Sequence, residues 1–157
     1  MIPVQRINHA VLYVRDAARS ANWYRDVFGM EIVTEIPNFA VFLRAAGTDN
    51  HHDLGLFSVG PDAPGPESGR VGLYHLAWQV GSIRDLVTAR EDLMRAGAYV
   101  GESDHGATKS IYGKDPDGNE FEIMWLVPRE DWGEHESRAV IQPLDLEREV
   151  ERYGTHA

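Results

Sequence analysis

The 157-residue chain contains no cysteine, which excludes a disulfide frame, a thiolate metal site and a cysteine nucleophile. It has no apolar run approaching the ~18–20 residues needed to cross a membrane. Its N-terminus, MIPVQRINHA, lacks the apolar stretch of a signal peptide. Cations are scarce, with 15 Lys and Arg against 25 Asp and Glu, for a formal charge of −10. Without a basic patch, nucleic acid is not an expected partner. Disorder is excluded in turn, because 43% of the residues are hydrophobic and disordered chains combine low hydrophobicity with high charge. A soluble domain of ordinary size remains, expected in the cytoplasm and not at a membrane. Any metal in it must be held by His and carboxylate.

What the chain does have is one order of elements written twice. Residues 6–14 (RINHAVLYV) alternate as a strand, with Ile7, His9, Val11 and Tyr13 on one face. Asp16 is a helix N-cap, the helix runs to Phe28, and Gly29 stops it. Strands are expected at 30–36, 39–45 and 53–59, followed by a Pro- and Gly-rich linker at 60–70. The order then restarts with a strand at 72–80 (GLYHLAWQV) and a helix over about 83–96 that ends at Gly97. Pieces at 99–100 and 109–113, the turn Asp115-Pro116-Asp117-Gly118 and a strand at 119–126 complete it. The expected fold is α+β, two βαβββ modules spanning about 5–60 and 71–127 of a single domain. Residues 128–157 form an acidic tail outside the repeat, whose segment 144–153 has the pattern of an amphipathic helix.

His9 and His75 occupy the same position of the repeated strands, 66 residues apart. A lone strand histidine is usually a satisfied core residue, but equivalence under a repeat favours two imidazoles facing one cavity. On the last strand, Phe121, Ile123 and Trp125 take one face while Glu120, Glu122 and Met124 take the other. Two His and one carboxylate on rigid strands make a facial set that leaves coordination positions open on Fe(II). Zn²⁺ or Mn²⁺ suits the same three groups.

The repeat, the paired His strands and the ending DPDGNEFEI resemble the vicinal oxygen chelate superfamily. That superfamily includes glyoxalase I, bleomycin and fosfomycin resistance proteins, methylmalonyl-CoA epimerase and type I extradiol ring-cleaving dioxygenases. The resemblance covers roughly residues 5–127 and implies modules that curve into a half-open barrel around one metal. The dioxygenase branch is the nearest in pattern. It carries metal ligands where this chain has His9, His75 and Glu122, and a His-His pair where it has His51-His52. A further His and a Tyr ten residues before the glutamate match His105 and Tyr112. The resemblance therefore implies Fe(II) as cofactor, with Mn, Zn or Ni as possible occupants on purification. The implied partners are a catechol-like diol and O2, in aromatic catabolism, with homo-oligomer formation left open. His52 would be the acid–base and oxygen-stabilising residue. Tyr112 would bond a substrate oxygen, and His105 would assist proton transfer.

Two competing readings come from the same resemblance. Glyoxalase I uses a fourth ligand, a Glu on the last strand of the first module, and the 66-residue offset from Glu122 lands on Leu56. Ser58 is the nearest oxygen-bearing side chain. A metal-free binder of the bleomycin-resistance type would lack the ligand triad, which this sequence carries.

Overall fold

The computed structural model describes residues 1–155; His156 and Ala157, at the end of the acidic tail, lie outside the described residues. The chain divides into two compact units, Met1–Pro66 and Glu67–Ala157. Each has the expected α+β order, and each folds a mixed four-stranded sheet with a helix on one side.

The first unit contains β1 (Ala10–Val14), α1 (Ala17–Phe28), β2 (Glu31–Ile36), β3 (Ala40–Arg44) and β4 (Leu54–Ser58). Its sheet order is β1-β4-β3-β2, with β1 parallel to β4 and the other pairs antiparallel. The Asp16 side chain accepts the Arg19 N–H to start α1. Gly29, at φ 65°, ends it in the left-handed region that a side chain would disfavour. Leu12, Val14, Val41, Leu43, Leu54 and Leu56 are buried on the helix side with Ala17, Ala21 and Tyr24. Val11 and Tyr13 point the other way and are exposed.

The second unit repeats the plan with β5 (Leu76–Val80), α2 (Ile83–Arg95), β6 (Tyr99–Asp104), β7 (Thr108–Lys114) and β8 (Glu120–Leu126), in the order β5-β8-β7-β6. The Ser82 side chain caps α2 by accepting the Asp85 N–H. In the Asp115–Gly118 turn, Asp115 Oδ1 accepts the N–H groups of Asp117 and Asn119, and Gly118 takes a φ of 89°. Phe121, Ile123, Trp125 and Ile111 are buried together with Leu86 and Leu93 of α2. Each sheet has a β-bulge next to its outermost hairpin, between Ile32 and Thr34 and between Tyr99 and Gly101. Neither sheet closes on itself.

Residues beyond β8 make two 3-10 turns (Arg129–Asp131 and Gly133–Glu136) and α3 (Leu146–Tyr153). This segment packs on the second unit. Leu146 and Tyr153 are buried, and the Tyr153 ring lies 5.1 Å from that of Trp125. Asp104 and Gln142 form an antiparallel bridge with N···O distances of 2.8 and 2.9 Å.

Three strand limits differ from the sequence-based expectation by more than one residue. β1 starts at Ala10 and β5 at Leu76, so His9 and His75 each stand one residue before a strand, still in equivalent places. The ladders to their parallel partners begin only there: the first rungs are Ala10↔Leu54 and Leu76↔Phe121. β6 is longer than expected because it pairs with β7 as far as Asp104↔Lys109.

Candidate functional site

In the second unit, Ala77 of β5 pairs with Glu122 of β8, and Glu122 pairs with Tyr112 of β7. Alternation along extended chain therefore places His75, Glu122 and Tyr112 on the sheet face opposite the buried apolar residues. His75 Nε2 lies 3.0 Å from Glu122 Oε2, and the two side chains are 25% and 12% exposed. That spacing suits an N–H···O bond. It also suits two adjacent ligands of one ion, because bonds of about 2.1 Å at a right angle leave their donors about 3.0 Å apart. His75 Nδ1 is buried with no hydrogen-bond partner, so protein contacts do not hold the imidazole at that nitrogen. An imidazole and a carboxylate that converge on one point are a donor set suited to a divalent metal.

Tyr112 extends the site. Its ring centroid is 5.7 Å from that of His75, and its hydroxyl lies 2.7 Å from His105 Nε2. Burial pushes the phenol pKa up and the Glu122 charge pushes it further, so Tyr112 keeps its proton at neutral pH. His105 Nδ1 is 3.0 Å from the Val140 carbonyl oxygen.

In the first unit, His9 Nδ1 is 2.8 Å from Asn8 Oδ1. An amide oxygen only accepts, so Nδ1 carries the proton and Nε2 keeps a lone pair. That is the arrangement a metal-ligating histidine needs. Asn8 is itself braced: its Nδ2 donates to Asn50 Oδ1 at 3.2 Å, and Asn50 Nδ2 donates to the Asn8 carbonyl at 2.9 Å and to Asp53 Oδ1 at 2.7 Å. The His52 ring lies 4.6 Å from that of His9 and 5.0 Å from that of Phe42, and its Nδ1 is 3.0 Å from His51 Nδ1. Burial, then the neighbouring His9 and His51, lower the His52 pKa, which favours a neutral imidazole able to accept a proton.

Among the described residues, no group of three or more His, Asp or Glu is gathered as a metal cluster. The contacts join His75 with Glu122 and Tyr112, Tyr112 with His105, and His9 with His52. Sequence reasoning missed Asn8, Asn50 and the Val140 carbonyl. The Asn8-His9 dipeptide was the available signal for the first. A backbone carbonyl far along the chain leaves none.

The strand pairing also corrects the position equivalent to Glu122. The residue two after His75, Ala77, pairs with Glu122, and the residue two after His9, Val11, pairs with Gly55. The equivalent is therefore Gly55, not Leu56. The 66-residue offset slips because His9 is 46 residues from Gly55 while His75 is 47 from Glu122. Leu56 is fully buried on the helix side. Ser58 Oγ accepts the N–H of Ala17 at the start of α1. Opposite Gly55 stands Phe42, at the place Tyr112 takes opposite Glu122.

Known proteins resemble the chain at the levels of sequence and fold. It is 35% identical over 126 residues to biphenyl-2,3-diol 1,2-dioxygenase 3 of Rhodococcus globerulus, a match over 79% of this chain and 65% of that protein. It is 30% identical over 127 residues to catechol-2,3-dioxygenase of Bacillus subtilis (strain 168), over 80% of this chain and 43% of that protein. The chain thus spans less than two thirds of the length of these curated relatives. The crystal structure of lactoylglutathione lyase from Agrobacterium tumefaciens aligns with a TM-score of 0.59 at 25% identity, over 79% of this chain and 96% of that one. Residues 6–123 match the model of the Glyoxalase/Bleomycin resistance protein/Dioxygenase superfamily, and the chain belongs to that superfamily.

Proposed function

We propose that the protein is a non-haem Fe(II)-dependent extradiol dioxygenase, cleaving the ring of a catechol-like diol beside its two hydroxyl groups. The observation that carries this reading is Gly55. The position equivalent to Glu122 in the first unit bears no side chain, so the proposed ligand set stops at His9, His75 and Glu122. A three-ligand site leaves the open positions that a chelating diol and O2 require, and a four-ligand isomerase site does not. The names of the two curated relatives support the same class.

Bound iron would supply a Lewis-acidic, redox-active centre for both substrates. The chain's own residues would do the rest. Asn8 holds His9 in the tautomer that leaves Nε2 free. His52, kept neutral by burial, accepts and returns a proton. Tyr112, kept protonated, fixes a substrate oxygen by hydrogen bonding, with His105 behind it. Phe42 and Phe57, whose ring centroids are 5.8 Å apart, give an apolar wall beside His52 on the first unit.

The test is anaerobic Fe(II) reconstitution followed by a panel of catechols and biphenyl diols, read by O2 uptake and the yellow ring-fission product. The reading requires stoichiometric oxygen consumption with at least one diol. It also requires loss of bound metal in His9→Ala, His75→Ala and Glu122→Ala. Steady glutathione-hemithioacetal isomerisation with Ni²⁺ or Zn²⁺, without oxygen uptake on any diol, would replace it with the glyoxalase reading. Tight ligand binding with neither turnover would replace it with the bleomycin-resistance reading.

A further inference from the structure

We propose that the segment following β8 sets the direction of a hydrogen-bond chain, so that Tyr112 meets a ligand hydroxyl as an acceptor and not as a donor. This rests on the reading above that Tyr112 faces the diol. It begins at the Val140 carbonyl, which lies 3.0 Å from His105 Nδ1. A carbonyl oxygen can only accept, so Nδ1 must carry a hydrogen. A neutral imidazole has one N–H, which leaves a lone pair on Nε2. Nε2 is 2.7 Å from the Tyr112 hydroxyl, so the phenol must donate to it. Its single hydrogen is then spent, and the Tyr112 oxygen presents lone pairs to whatever else approaches. The chain runs from ligand O–H to Tyr112, to His105, to Val140.

The polarity depends on the tail being docked, and four contacts dock it beside His105. The Asp104–Gln142 backbone bridge closes on both sides, at 2.8 and 2.9 Å. Lys109 Nζ donates to Asp104 Oδ1 at 2.6 Å and lies 3.6 Å from Glu149 of α3. Trp132 Nε1 donates to the Val127 carbonyl at 2.7 Å. The His135 ring lies against Gly106, where a Cβ would run into it and where φ is 79°. Val140 is thus held by groups on both sides of it in sequence, and His105 is gripped within the same loop. The tail lies beyond the 6–123 stretch that matches the superfamily model, whereas His105 and Tyr112 lie within it.

The consequence is a specificity. An acceptor at Tyr112 favours a diol that keeps a proton on the oxygen facing it. It disfavours a ligand with a methyl ether or a bare oxyanion there, because lone pairs would then face lone pairs.

The test is ¹⁵N NMR of the His105 ring in the full-length, metal-free protein, with His105→Gln used for assignment. The expected result is a single tautomer protonated at Nδ1. Replacing the Val140–Ile141 amide by an ester weakens that carbonyl as an acceptor without touching His105 or Tyr112. The Nδ1–H population should then fall from nearly all to a mixture of both tautomers, while circular dichroism is unchanged. Gln142→Pro, which removes one bond of the bridge, should shift it the same way. An Nε2–H tautomer in the wild-type protein overturns the inference without any variant being needed. So does a tautomer that the ester leaves unchanged. If the Nδ1–H tautomer is found and responds, yet no diol is cleaved with Fe(II), the ring-cleavage reading fails and the hydrogen-bond polarity stands.

Discussion

Replacing Lys109 by Met should be among the most damaging single changes in the second unit. Its ammonium is 7% exposed, 2.6 Å from Asp104 Oδ1 and 3.6 Å from Glu149 Oε2. Methionine fills similar space but removes the charge, leaving two buried carboxylates with Arg148 as their nearest cation, 4.0 Å from Asp104 and 2.9 Å from Glu149. Breaking a buried pair by deleting one partner costs about 3–5 kcal/mol, and the remaining arginine points to the lower end, about 3 kcal/mol. In urea, with a slope of about 2 kcal/mol per molar, the midpoint should fall by about 1.5 M at pH 7. The pH dependence has a defined sign. In the wild type, burial alone would raise the Asp104 carboxyl. The bonds from Lys109 and the Gly106 N–H hold it below its ordinary value instead. That contribution is complete above the unfolded value of about 3.9 and is lost as pH falls through the folded one. In Lys109→Met the burial effect prevails and the carboxyl rises, so the variant takes up a proton on folding. Its deficit should therefore shrink as pH falls through the raised value, by about 1.4 kcal/mol for each unit by which that value exceeds the final pH. A deficit below about 1 kcal/mol at pH 7, or one that acidification leaves constant, would refute the account.

Gly55→Glu should retain the fold, because a Cβ there meets Phe42 and Val11 atoms at 3.4 Å, but should cut ring cleavage at least ~10²-fold in an oxygen-uptake assay. Leu56→Glu, by contrast, buries a carboxylate on the helix side and should abolish soluble folded protein, as read by circular dichroism. His52→Phe should keep metal and bind diol while kcat falls ~10²–10⁴-fold, and an unchanged kcat would shift attention to His51. Asn8→Ala frees the His9 ring and should weaken metal affinity ~10–100-fold in a chelator competition.

The elements with local causes were legible in the sequence. Asp16 and the Asp-Pro-Asp-Gly turn carry their hydrogen-bond chemistry in their own side chains, and the modules could be placed from them. The equivalence of His9 and His75 was legible because a repeat preserves it. What could not be read was set by pairing between distant segments. One residue of difference in length between the modules moved the Glu122 equivalent from Leu56 to Gly55, and in a strand a one-residue slip exchanges the two faces. The contact on His105 comes from the main chain of Val140, whose side chain says nothing of it. Asp104 reads as a loop carboxylate until β6 is extended to pair it with Lys109.

The Asp104–Gln142 bridge has a consequence for how the molecule behaves at high concentration. β6 is the outer strand of its sheet, and an outer strand exposes a row of unpaired N–H and C=O groups that a second molecule can add to. On β2, the corresponding strand, the bulge and the exposed Glu31 and Glu35 discourage such stacking. β6 has its own bulge near Tyr99, and at its far end Gln142 already occupies the hydrogen-bonding positions of Asp104. The tail thus acts as a stopper on the sheet, and pulling it away would uncover a template for sticky, strand-to-strand growth.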